Sequence, residues 1–255
     1  MTDQRELRRV GSGDHHVIAL HGWFGSGAAW APLLPYLDGS AFTYVFPDYR
    51  GYGARKDDAG EHTIAEAAAD ALALADRLGW PRFSLLGHSM GGTVMQRILA
   101  DAPERVRAMV GISPVPAIGV PFDEQGWQLF SGAADEPGNR RAIIDLTTGN
   151  RLTGVWLDAM VKHSVDNSDR QAFGEYLTAW AKTDFHAEID GNPVPVKLIV
   201  GEHDPALGEA TMRATFTNWY PNCEIDVFAN AGHYAMDETP VALAGSIEGF
   251  LTERG

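Results

Sequence analysis

Phe83-Ser84-Leu85-Leu86-Gly87-His88-Ser89-Met90-Gly91-Gly92 is the stretch whose reading decides the fold. An apolar run of strand character stops at Gly-His-Ser-Met-Gly, and a helix-like segment follows from Thr93 to Ala100. This is the G-x-S-x-G pattern of a serine set on a sharp strand-to-helix turn. Such a turn crowds the backbone two residues before and two after the serine, so glycine, which lacks a Cβ, is expected at Gly87 and Gly91. The turn lifts the Ser89 hydroxyl off the end of the strand. It also points the first free N–H groups of the helix at the place where a negative oxygen would develop. A glycine-rich chain produces this pentapeptide by chance as well, so the weight rests on the flanking strand and helix and on what the other loops supply.

Upstream, Leu7 to Val10 reads as a short edge strand and His16 to Leu20 as a buried parallel strand. The latter ends in the glycine-rich loop His21-Gly22-Trp23-Phe24-Gly25-Ser26-Gly27, with a helix expected around Ala28 to Leu37. Phe42 to Phe46 is the next strand. Thr63 to Leu78 is a helix that Thr63 caps, with Glu66 at capping-box spacing. Downstream of the elbow, Val106 to Ile112 is a strand, and the rhythm then changes. Residues 116–192 carry helix-like pieces at Arg141 to Leu146, Thr153 to Ser164 and Arg170 to Thr183, the last capped by Asp169, and many aromatics. Strand character resumes at Val196 to Val200, ending in Gly201-Glu202-His203-Asp204-Pro205. A helix near Glu209 to Trp219, a strand Glu224 to Phe228, the loop Ala231-Gly232-His233-Tyr234 and a helix near Pro240 to Thr252 complete the pattern. Alternation of this kind implies right-handed crossovers and a parallel sheet covered on both faces. The loops at His21, Ser89, Asp204 and His233 each follow an apolar strand, so the fold gathers them at the carboxyl edge of the sheet, where such sheets place their active crevice.

The chain has 255 residues, enough for one large α/β domain or a core with an insertion. Acids outnumber bases 34 to 20, a net charge of −14. That field repels phosphates and argues against nucleic-acid partners; otherwise it reads as ordinary solubility. The single cysteine, Cys223, forms no internal disulfide, and residues 1–6 are polar and lead into no apolar signal core. No apolar run is long enough to span a bilayer. The expectation is a cytoplasmic protein with no membrane partner. The remaining histidines have no metal-site spacing, so neither a metal nor another cofactor is expected.

The chain resembles the α/β-hydrolase superfamily from about Val17 to Leu251. The resemblance rests on His21-Gly22-Trp23, Asp48-Tyr49-Arg50-Gly51-Tyr52-Gly53, Gly87 to Gly92, Gly201 to Pro205 and Ala231 to Tyr234. It implies an α/β-hydrolase fold, with a mostly parallel central sheet, helices on both faces and an inserted, mainly helical cap. The expected division is 1–115 and 193–255 for the core and 116–192 for the cap. The family order of serine, acid and histidine implies Ser89, Asp204 and His233. Glu202 is the local rival for the acid. Asp123 is the nearest acid after the strand ending at Ile112, where some relatives carry theirs. The oxyanion hole implied is the backbone N–H of Met90 with that of Trp23, Phe24 being the alternative second donor. Trp127, Phe130, Trp156 and Trp180 are the candidate pocket residues of the cap. His88, His21, Arg50 and Asp48 are read as structural.

These residues imply a serine hydrolase of a small, fairly apolar ester or lactone, acting through an acyl-enzyme. Alternatives are hydrolysis of a carbon–carbon bond in a dienoate ring-cleavage product, a perhydrolase or haloperoxidase-like activity, a cofactor-free oxygenase, and a ligand receptor on a hydrolase scaffold. The dienoate hydrolases typically carry a glycine-proline-glycine stretch where this chain has Trp23 to Gly27. Serine at position 89 argues against haloalkane dehalogenase and epoxide hydrolase, whose elbows carry aspartate. Oligomeric state is not legible.

Overall fold

A computed structural model describes residues 7–254; the polar reading of residues 1–6 lies outside them. The architecture is a seven-stranded sheet built from β1 (Arg8–Gly11), β2 (His15–Leu20), β3 (Phe42–Phe46), β4 (Phe83–His88), β5 (Val106–Ile112), β6 (Val196–Gly201) and β7 (Cys223–Phe228). Their spatial order is β1-β3-β2-β4-β5-β6-β7. Only β1 runs antiparallel, pairing Arg8 with Phe46 through Gly11 with Thr43 at one edge. All other pairings are parallel.

The central strands are Val, Ile, Leu and Phe-rich because they have no solvent face. Every residue of β3, β4 and β6 is buried, and successive side chains point to opposite faces, so both faces are covered. The covering layer includes α1 (Ile64–Arg77), α2 (Met90–Asp101), α7 (Glu209–Ala214), α8 (Phe216–Trp219) and α10 (Pro240–Glu253). Between β5 and β6 lie four further helices: α3 (Glu124–Gly132), α4 (Pro137–Thr147), α5 (Gly154–Asn167) and α6 (Arg170–Ala181). A one-turn helix, α9 (Ala235–Glu238), follows the His233 loop. No helix among the described residues is long and apolar enough to cross a membrane.

The structure departs from the sequence pattern in several places. The helix expected over 28–37 is two 3-10 turns, Gly27–Trp30 and Leu34–Tyr36, since Pro32 and Pro35 remove the donors a continuous α-helix needs. The helix expected over 209–219 breaks at Thr215, whose backbone leaves the helical region. Helix α3 has no counterpart among the helix-like pieces of the sequence pattern, although Asp123 caps it by accepting from Gly126 N–H at 2.7 Å. Thr63 does cap α1, but Glu66 reaches back to the N–H groups of Glu61 and His62 rather than to that of Thr63.

Candidate active site

The end of β4 builds the centre of the site. Ser89 sits at φ 53° and ψ −119°, a left-handed conformation costly for a residue with a side chain. What holds it there is crowding on both sides. A Cβ on Gly87 would lie 2.6 Å from the Gly91 carbonyl oxygen, and one on Gly91 would lie 2.2 Å from that of Leu20. The Ser89 carbonyl accepts from the N–H groups of Gly92 and Val115, which fixes the turn to the loop after β5.

The loops after β6 and β7 bring the acid to the histidine. His233 Nδ1–H donates to Asp204 Oδ2 at 2.7 Å. Asp204 Oδ1 accepts from the N–H groups of Ala206 and Leu207, both at 3.0 Å. Burial opposes the Asp204 charge, yet the His233 ring and these backbone donors outweigh it and hold the carboxyl below its usual range. Its rivals have other places: Glu202 is exposed, and Asp123 caps α3. The His233 backbone is itself tied down twice. Its N–H donates to Thr147 O at the end of α4, and its carbonyl accepts from His88 Nε2 at 2.9 Å. Burial first, then the neighbouring His233, lowers the His88 pKa to about 3, so this ring stays a neutral donor.

The loop after β2 is fixed in a similar way. His21 Nδ1–H donates to Gly22 O while its Nε2 accepts from Tyr49 N–H, and burial pulls its pKa down to about 4. Trp23 is held at both ends: its carbonyl accepts from the Tyr52 hydroxyl at 2.9 Å, and its indole N–H donates to Phe173 O in α6 at 2.7 Å. The backbone N–H groups of Trp23, Phe24 and Met90 donate to no acceptor among the described residues. Asp48 ties the β2 and β3 loops together through Gly27 and Ala54 N–H, and Arg50 is bidentate on Asp70.

Ser89 and His233 line two cavities. The larger, about 260 Å³, is walled by Trp23, Phe24 and Pro32 from the core and by Trp156, Met160 and His163 from α5. The smaller, about 60 Å³, is closed by Phe122, Phe130, Ile143 and Trp180. No Lys or Arg lines either. No hydrogen bond joins the Ser89 hydroxyl to His233 among the described residues. Of the four aromatic residues expected at a pocket, Trp156, Phe130 and Trp180 line one. Trp127 does not: it packs on Phe122 with the Lys182 ammonium 4.1 Å over its ring. Half-buried in a helix the sequence pattern does not resolve, it is indistinguishable from its neighbours by composition. Met160 and His163 escaped the sequence reading because only the packing of α5 brings them to the Ser89 cavity, and Asp237 because it sits in a one-turn helix after the His233 loop. Among the described residues no cluster of three or more metal-ligating side chains occurs.

A model of the family described as alpha/beta hydrolase fold matches residues 15–240. The pimeloyl-(acyl-carrier protein) methyl ester esterase of Klebsiella pneumoniae is 33% identical over 256 residues, covering 96% of this chain and 97% of its own length. The 2-hydroxymuconate semialdehyde hydrolase of Pseudomonas putida is 24% identical over 220 residues, 82% of this chain and 76% of its own. A solved hydrolase from Oleispira antarctica superposes with a TM-score of 0.86 at 17% identity, covering 96% of this chain and 94% of its own, a likeness of fold. With the family model spanning most of the sheet and all three loops that meet at Ser89, the chain belongs to the α/β-hydrolase fold family.

Proposed function

We propose that this chain is a serine hydrolase of carboxylic esters, small lactones included, working through Ser89, His233 and Asp204. The observation that carries the reading is the buried Asp204–His233 pair at 2.7 Å, opening onto the same apolar cavities as a serine held on a strained elbow. Asp204 keeps the proton on His233 Nδ1, leaving Nε2 free to take the Ser89 proton. Ser89 Oγ attacks the ester carbonyl, and the Met90 and Trp23 N–H groups receive the oxyanion. Collapse expels the alcohol with the proton from His233. Water then repeats the sequence on the acyl-enzyme and releases the acid. The helices from α3 to α6 act as the cap and set substrate size through Trp156, Phe130 and Trp180.

Carbon–carbon hydrolysis of a dienoate is the second reading, supported by the Pseudomonas relative. A dienoate carries a carboxylate, and the absence of Lys and Arg from both cavities weighs against it. The test is turnover of short and medium chain p-nitrophenyl esters and a small lactone panel, with Ser89→Ala and His233→Ala run beside the parent. Losses of several orders of magnitude in both variants are expected, on the order of 10⁶ in kcat for a triad that acts as a unit. An inert parent enzyme would refute the ester reading.

A further inference from the structure

Asp237 is an ionisable group in the active-site cavity that the triad does not use. It lies on α9, four residues after His233, and lines the larger cavity together with Ser89. Its neighbour Glu238 is fully engaged: one oxygen accepts from Gly232 and Tyr234 N–H, and the other pairs with Arg151 at 2.9 Å. Asp237 has no such partners. Oδ1 accepts a long 3.4 Å bond from the Trp156 indole N–H, and Oδ2 accepts from no group among the described residues. Asp237 is only half-buried and borders the cavity. The ring walls nearby are Trp156 and Tyr234, which meet edge to face with centroids 5.5 Å apart.

A carboxylate left without a cation in an apolar cavity is costly unless something arrives to pair with it. Burial, and then the Glu238 charge, lift its pKa to about 6, so the group is mostly ionised at neutral pH while uncompensated. A carboxylate in an aromatic-walled cavity is the chemistry that holds an ammonium, by charge first and by cation–π attraction where a ring face is offered. His163, the other titratable group of the cap wall, has its pKa lowered by burial, so it adds no competing positive charge at neutral pH.

We propose that Asp237, with Trp156 and Tyr234, forms a cation-recognition subsite that makes the enzyme favour esters bearing an ammonium group and reject those bearing a carboxylate. The subsite stands on the cavity geometry and the charge of Asp237, while its role in choosing a substrate rests on the ester-hydrolase reading. Asp237 is a specificity determinant, and no bond is made or broken on it.

The experiment separates binding from turnover. Choline and its uncharged isostere 3,3-dimethylbutan-1-ol are titrated against the full chain by calorimetry and by tryptophan fluorescence. Turnover is then measured on the butanoate esters of the same two alcohols. The parent enzyme should bind choline at least about tenfold more tightly than the isostere and favour its ester by a similar factor in kcat/KM. Asp237→Asn should bring both ratios close to one. Equal binding of choline and isostere by the parent overturns the proposal, whatever the variant does. So does a choline preference that survives in Asp237→Asn. Selective choline binding with neither ester hydrolysed would uphold the subsite and refute the ester reading instead.

Discussion

Asparagine at position 204 tests the acid–histidine pair with little change of shape. Asp204 Oδ1 faces two backbone donors, the N–H groups of Ala206 and Leu207, and Oδ2 faces His233 Nδ1. An asparagine amide has one acceptor end and one donor end. Its oxygen must therefore take the Oδ1 position, because turning the NH₂ toward two N–H donors would leave three donors face to face without an acceptor. The NH₂ then donates to His233 Nδ1 and drives the ring proton to Nε2. In that tautomer the imidazole has no lone pair to take the Ser89 proton. Loss of the correct tautomer costs about 10⁴ in kcat, or about 5.4 kcal/mol in the barrier. The fold should persist, with Tm falling by only a few degrees for roughly 1 kcal/mol lost with one charge-assisted bond. Acid sensitivity supplies a control. With its folded pKa below the unfolded one, Asp204 contributes stability that is present above about pH 4 and is lost as pH falls through the folded value; Asp204→Asn should lose that part of the dependence. The assays are kcat/KM on a short p-nitrophenyl ester and thermal melts from pH 3 to 7. A variant retaining more than about one per cent of parental kcat/KM would refute the tautomer argument.

Gly91→Ala would set a Cβ 2.2 Å from the Leu20 carbonyl oxygen, a backbone atom that cannot yield, so a loss of about 3 kcal/mol or more is expected in chemical denaturation. An unchanged midpoint would contradict the packing of the elbow. Phe130→Ala should open the small cavity and move the ester optimum to longer chains, each added methylene being worth about 0.8 kcal/mol or roughly fourfold in kcat/KM. An unmoved chain-length profile would remove Phe130 from the pocket. Arg140→Met deletes a buried guanidinium that donates to Ala133 O, Ser164 Oγ and Ser168 Oγ and lies 3.7 Å over the Phe173 ring. The expected cost is about 2 kcal/mol, a Tm drop of roughly 4 to 8 °C, and a melt within 1 °C of the parent would be the contrary result.

The framework was legible because the central parallel strands have no solvent face. Phe42–Phe46 and Val106–Ile112 emerge as largely apolar runs, as do the strands before Ser89 and Asp204, whereas β7 before His233 alternates Glu224 and Asp226 with apolar residues and has no buried residue. Pattern failed where local chemistry competes with period. Pro32 and Pro35 sit inside an otherwise helical stretch, and α3 offers nine residues among several glycines and acids. The pocket was the least legible part. Whether an aromatic residue of the insertion faces Ser89, as Trp180 does, or Lys182, as Trp127 does, depends on helix rotation, which one sequence of mixed polarity does not specify. Asp237 lies in a one-turn helix too short to carry any periodicity.

Two carbonyl oxygens of the inserted helices, Thr147 O and Phe173 O, receive the His233 N–H and the Trp23 indole N–H. The insertion is thus a keystone and not a hinged door. Swinging all four helices away would remove one anchor of His233 and one of the Trp23 loop together, so access to Ser89 falls to local movement, with α3 and α5 the segments that contribute wall but neither of these two anchors. The same arrangement constrains how such an enzyme is remodelled. A chimera that exchanges the whole insertion would arrive without its histidine clamp unless those two carbonyls are reproduced, whereas exchanges confined to α5 would alter selectivity and leave the machinery standing.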